Sequence, residues 1–163
     1  MLFYGYDNLQ CNDEHESAKK LLFDLLKKHL PEICKDATLE HNDLGAPYLA
    51  QSGKKTDGIF VSLSHSHGIC AAALSDRPVG IDIEKVRDIR KRESAIERRF
   101  LSNFDIADAS YTDLESFFYK WTCAEACFKA SGKWSSEGLD YFHKEATVNG
   151  ERYILCVAQA IKG

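Results

Sequence analysis

Val79-Gly80-Ile81-Asp82-Ile83-Glu84 and Trp121-Thr122-Cys123-Ala124-Glu125-Ala126-Cys127-Phe128-Lys129 are the two stretches from which the chain is read most directly. The first has high strand propensity and strict alternation. Val79, Ile81 and Ile83 face one way, while Gly80, Asp82 and Glu84 face the other. The second is helical, so Glu125 and Lys129, four residues apart, are neighbours on one side. Three acids and a lysine converging on one pocket suit a hard divalent cation and a phosphate-bearing ligand.

The longer helix around the second stretch starts at Thr112-x-x-Glu115, which reads as a capping box, and runs to about Ala130, with Gly132 just past its end. Leu114, Phe117, Phe118, Trp121 and Phe128 form an apolar stripe that includes Glu125, with Lys129 on its edge. A carboxylate among large aromatics is costly unless a cation or hydrogen bonds compensate it.

Upstream of the first stretch, Leu2 to Tyr6 reads as a strand. Asp13-x-x-Glu16 caps a helix whose Ala18, Leu21, Leu22, Leu25, Leu26 and Leu30 recur at helical spacing until Pro31 stops it. A looser stretch follows, with turns at Gly45-Ala46-Pro47-Tyr48 and Thr56-Asp57-Gly58. Phe60–His65 and Ile69–Leu74 read as paired strands around Ser66-His67-Gly68, and a turn at Ser75-Asp76-Arg77-Pro78 leads into Val79. A polar helix is predicted from about Asp88 to Leu101, and a hairpin turning at Asn149-Gly150 ends the chain. This order predicts one α+β domain over 1–163, with two similar halves at about 1–75 and 76–163.

At 163 residues the chain can bury one full core, and 44% hydrophobic with 28% charged residues is ordinary for a globular protein. No signal-peptide pattern opens the chain and no segment approaches membrane-spanning length, so a cytoplasmic protein without membrane contact is expected. The six cysteines are scattered without a C-x-x-C pair, and Cys123 and Cys127 have helix spacing; reduced, buried thiols are expected. His67 and His143 read as turn or loop residues, and no histidine pair has ligand spacing for a metal. His65 continues the Val61–Leu63 face, so a core histidine and a ligand-binding one are both open.

A net charge of −4 argues against non-specific nucleic-acid binding. Between Lys85 and Arg99, however, seven basic residues stand against three acids. That segment is either a solvated helix face or a docking patch for an acidic protein.

Taken together, Gly45-Ala46-Pro47-Tyr48-Leu49, Phe60-Val61-Ser62-Leu63-Ser64-His65-Ser66, Pro78 to Glu84 and Trp121 to Lys129 resemble the 4'-phosphopantetheinyl transferases of the Sfp type. The likeness runs from about Gly45 to Leu139. It implies two α+β halves related by a pseudo-twofold, with coenzyme A between them. It also implies Mg²⁺-dependent transfer of the phosphopantetheine arm to a serine of an acyl or peptidyl carrier protein, releasing 3',5'-ADP.

By motif, the resemblance makes Asp82, Glu84 and Glu125 the Mg²⁺ ligands and puts Pro47, Ser64, His65 and Lys129 on coenzyme A. Glu125 and Lys129 are its catalytic residues, with Asp105 as the candidate base for the serine proton. The carrier would dock near Arg87, Arg90 and Arg92. The paired halves predict a monomer.

Three features depart from the family. Ala124 replaces the lysine before the metal-binding glutamate, Ala46 replaces a basic residue of the cofactor loop, and the chain is short in its N-terminal half. Each lost charge-assisted phosphate contact costs about 1.5–3 kcal/mol. A member that binds coenzyme A or a carrier without efficient transfer is therefore the alternative. An unrelated metal-dependent phosphate-ester hydrolase using the same acids is a third reading.

Overall fold

Asp13 starts the first helix by chemistry visible in its own side chain, whose Oδ1 accepts hydrogen bonds from the amides of His15 (2.9 Å) and Glu16 (3.2 Å). The structure is a computed structural model and describes residues 1–9, 13–88 and 114–163. In chain order it contains β1 (Leu2–Asn8), α1 (Glu14–His29), α2 (Pro31–Cys34), β2 (Ala37–His41), β3 (Pro47–Gln51) and β4 (Lys54–Lys55). Then follow β5 (Phe60–Ser66), β6 (Ile69–Ser75), β7 (Val79–Lys85), α3 (Leu114–Ser131), β8 (Leu139–Val148) and β9 (Glu151–Ala160). Among the described residues no helix is long and apolar enough to cross a membrane.

The strands form three antiparallel sheets, ordered β1-β6-β5, β2-β3-β4 and β7-β9-β8. The first and last repeat one plan. A strand is followed, after a helix, by a hairpin whose second strand inserts beside the first. This is the expected α+β architecture of two similar halves.

Four layers follow from the side chains. Leu22 and Leu26 of α1 pack with Val61, Ala72 and Leu74 on one face of the first sheet and with Leu49 of β3. On its other face Ile69, Ala71 and Ala73 of β6 meet Val79, Ile81 and Ile83 of β7 and Leu155 and Val157 of β9. The far side of that second sheet takes α3, through Cys123, Ala124, Ala126 and Cys127 against Cys156 and Ala158.

Two of the turns are those the sequence indicates. His67-Gly68 joins β5 to β6 and Asn149-Gly150 joins β8 to β9, all four residues having positive φ. Three expectations are corrected. The stretch after α1 holds a small sheet of short strands, with Pro47 opening β3 rather than lying inside a turn. Pro31 ends α1 but also opens α2 at its first turn, where a missing amide proton is harmless.

The third correction concerns α3. Its buried central face is not the aromatic stripe but the small residues Thr122, Cys123, Ala126 and Cys127. Phe117 and Phe118 are buried nearer the start, whereas Phe128 is exposed and stacked on Trp134. Small residues win because the helix lies unusually close to β7, as Gly80 shows below. The predicted Thr112 cap and the polar helix from Asp88 to Leu101 fall mostly outside the described residues, as does Cys11. The five described cysteines are free thiols, as expected.

Candidate functional site

Gly80 sets the distance between β7 and α3. A Cβ on it would sit 2.8 Å from the amide nitrogen of Ala130 and closer still to the carbonyl oxygen of Ala126. No other residue fits without moving the helix backbone. With the helix so close, the next residues on that face of β7, Asp82 and Glu84, meet the row Trp121–Glu125–Lys129, spaced one turn apart along α3.

Asp82 is 5% exposed. Its Oδ1 accepts from Lys129 Nζ at 2.7 Å and from Ser64 Oγ at 2.9 Å, while Lys129 also donates to the Ile81 carbonyl at 3.0 Å. Oδ2 is buried and has no hydrogen-bond partner. Burial raises the Asp82 pKa despite the opposing pull of Lys129, and the charge of Glu84 raises it further. Glu125 is half-buried, and its pKa too is raised, first by desolvation and then by the Asp82 charge. Glu84 accepts from Ser66 Oγ (2.8 Å) and Arg87 (3.1 Å).

The carboxylates on β7 are held in place by the other half of the molecule. As the edge strand of its sheet, β7 has outward amides at Ile81, Ile83 and Lys85. They donate to the hydroxyls of Ser62, Ser64 and Ser66 on β5 at 3.1, 3.2 and 3.3 Å. The alternate serines of β5 thus replace a neighbouring strand. Two of them pass the bond on to Asp82 and Glu84.

Around these groups lies a cleft of about 420 Å³. Asp82, Glu84, Glu125 and Lys129 form one wall, with Trp121 beside them; Ser64 and His65 come from β5 and Pro47 from β3. Of the residues assigned by motif, these all border the same space. His65 is an exposed side chain rather than a core one, and its Nδ1 meets Glu14 Oε2 at 2.8 Å. Ser64 is largely spent on Asp82 and the Ile83 amide.

Asp105, Arg90 and Arg92 lie outside the described residues. Arg87 is committed to Glu84 and to the Lys85 carbonyl, and it lies over the Phe118 ring. Ala124 is fully buried against the second sheet, a position that serves packing in this chain.

The sequence reading missed His15 of α1 and His41 of β2, whose rings lie 5.5 Å apart at the cleft. No motif or periodicity marks either, because they meet only through the fold. His143, read as a loop residue, is on β8, with its ring against Tyr119.

The donor set fits a divalent cation with oxygen ligands. Two carboxylates have raised pKa values from burial and mutual repulsion, and one buried carboxylate oxygen has no partner, which is the environment a hard cation relieves. Asp82, Glu84 and Glu125 would hold it.

Residues 78–159 match the 4'-phosphopantetheinyl transferase superfamily. Over 94 residues, 55% of this chain and 39% of the relative, the sequence is 36% identical to 4'-phosphopantetheinyl transferase psf-1 of Bacillus pumilus. Over 126 residues, 72% of the chain and 50% of the relative, it is 30% identical to 4'-phosphopantetheinyl transferase gsp of Aneurinibacillus migulanus. It is also 31% identical to 4'-phosphopantetheinyl transferase Sfp of Bacillus subtilis, over 55% of the chain and 41% of that protein. The chain thus spans half or less of the length of these relatives.

Proposed function

The chain belongs to the 4'-phosphopantetheinyl transferase superfamily, and from that premise we propose that it moves the phosphopantetheine arm of coenzyme A onto a serine of an apo carrier protein. The observation carrying this reading is the partnerless, buried Oδ2 of Asp82, a residue that lines the cleft together with Glu84 and Glu125.

In the reaction, the carrier serine oxygen bonds to the phosphorus bearing the pantetheine arm, and the P–O bond to 3',5'-ADP breaks. Asp82, Glu84 and Glu125 would hold Mg²⁺, which when bound would supply positive charge to stabilise the leaving 3',5'-ADP. Lys129 gives up Asp82 and turns its ammonium to the phosphate oxygens as a point charge. His65, steadied on Glu14 through Nδ1, presents its other ring nitrogen to a phosphate. Pro47 and Trp121 wall the cleft against water. The serine proton goes to a carboxylate, with Asp105 as the candidate on sequence grounds. The carrier docks beside Arg87, Arg90 and Arg92.

Mass spectrometry of an apo carrier protein incubated with the chain, coenzyme A and Mg²⁺ tests the reading. A gain of one phosphopantetheine, abolished by EDTA, is expected. Absence of the gain across fatty-acid, polyketide and peptide-synthetase carriers would overturn efficient transfer. It would favour a member that only binds coenzyme A or the carrier. Turnover of small phosphate esters without a carrier would favour a hydrolase. Charge reversal at Arg90 and Arg92 should slow carrier modification without weakening coenzyme A binding, and equal loss of both would refute the docking surface.

A further inference from the structure

The side of α3 turned away from Glu125 carries a second cluster of ligand chemistry that the transfer reaction does not use. Cys123 and Cys127, one turn apart on that side, are fully buried, as is Cys156 in the middle of β9. Cys156 is the direct cross-strand partner of His143 on β8. The sulfurs of Cys123 and Cys156 and a ring nitrogen of His143 all lie within 4.8 Å of one another. Cys127 follows Cys123 one turn along the same buried face of α3. Two thiols and an imidazole from three elements therefore converge on one point of the core.

We propose that Cys123, Cys156 and His143 form a binding site for a thiophilic metal ion of the Zn²⁺ class, pinning α3 to the β8–β9 hairpin.

The ligand types select the metal. Sulfur and imidazole donors suit Zn²⁺, whereas the oxygen-only set across the helix suits a hard cation. Zn–S and Zn–N bonds of about 2.3 and 2.0–2.1 Å place tetrahedral ligand atoms roughly 3.5–3.8 Å apart. Ligand atoms within 4.8 Å of one another need a contraction of up to about 1.3 Å to reach that geometry, within reach of side-chain rotation.

The outer shell is also in place. His143 Nε2 lies 2.8 Å from the Tyr119 carbonyl oxygen, which can only accept, so Nε2 carries the proton and Nδ1 keeps its lone pair for a metal. A histidine ligand fixed through its second nitrogen to a backbone carbonyl is the usual arrangement around protein-bound zinc. Two thiolates and a neutral imidazole would also cancel the charge of the ion, so the buried site need carry none. His143 is only half-buried, which leaves an approach for the ion.

The test uses the full chain, reduced, stripped of metal and held in excess Mg²⁺ so that the carboxylates are occupied. Titration with Co²⁺ should give one equivalent of a tetrahedral, thiolate-ligated spectrum, displaced by Zn²⁺, and Zn²⁺ should raise the thermal midpoint. Cys123→Ser and Cys156→Ser should remove the sulfur-to-metal absorption. His143→Asn, which removes a direct ligand, should weaken binding by more than about the 10-fold that loss of an outer-shell partner costs, and Cys34→Ser, outside the cluster, should leave it intact. Glu125→Gln keeps the thiols and removes a carboxylate, so its Co²⁺ spectrum should match the wild type even if a cysteine variant fails to fold. No thiolate absorption in the wild-type chain, or a spectrum lost in Glu125→Gln, overturns the proposal.

Discussion

Replacing Gly80 by alanine tests the whole construction of the site with one methyl group. The added carbon would lie 2.8 Å from Ala130 N and 2.9 Å from the Ala126 carbonyl carbon, where ordinary contacts begin at 3.4 Å. Both obstacles are helix backbone, so no side chain can rotate away. In a close-packed interior α3 must retreat from β7 by on the order of 1 Å. Overpacking of this kind costs about 1–3 kcal/mol, and a backbone clash belongs at the upper end.

The same retreat carries Glu125 and Lys129 away from Asp82 and breaks the 2.7 Å Lys129–Asp82 contact. A misplacement of about 1 Å in a catalytic constellation can lower the rate by about 100-fold. Urea unfolding and a carrier-modification assay on Gly80→Ala should therefore both fall, by about 3 kcal/mol and about 100-fold. A variant within about 0.5 kcal/mol of wild type and within about twofold of its rate would refute the claim that close approach places the Glu125–Lys129 row.

Ser64→Ala should destabilise by about 1–3 kcal/mol, because it leaves the Ile83 amide without a partner in the interior and Asp82 Oδ1 with Lys129 alone; urea midpoints unchanged from wild type would contradict the serine bridge. Asp82→Asn should cut transfer by roughly 100–1000-fold and abolish the rise in thermal midpoint on adding Mg²⁺, and a variant still stabilised by Mg²⁺ would remove Asp82 from the ligand set. Glu125 has a raised pKa in the folded state, so its contribution is favourable below the ordinary carboxylate range and is lost as pH rises through the raised value. Glu125→Gln should accordingly melt higher than wild type at pH 7.5 without metal, with the gain vanishing near pH 4. Thermal melts that show the same difference at both pH values would sink that reasoning.

Much of this site could be read in the chain because its parts are local. The alternation in β7 assigns Gly80, Asp82 and Glu84 to one face, and one helical turn joins Glu125 to Lys129. The hairpin turns were equally legible, since His67-Gly68 and Asn149-Gly150 need positive φ. The small sheet β2-β3-β4 was not, because its strands are two to five residues long and carry no clear alternation. The burial pattern of α3 misled for a different reason. Large aromatics dominate a hydrophobicity reading, yet a helix pressed against glycine is faced with alanine, cysteine and threonine. His15, His41 and the Cys123–His143–Cys156 cluster were invisible because each joins residues from separate elements.

The serine bridge between β5 and β7 has a consequence for the order in which the chain folds. An exposed edge strand offers unpaired amides to any passing chain, which is a route to intermolecular aggregation. In β7 the edge is sealed not by charge or proline but by the partner half, through three hydroxyls. Until the halves dock, the strand that carries Asp82 and Glu84 also presents an open, unpaired edge. Docking therefore completes the site and removes the aggregation hazard in one event, so slow docking would appear as lost yield of soluble protein before it appeared as lost activity.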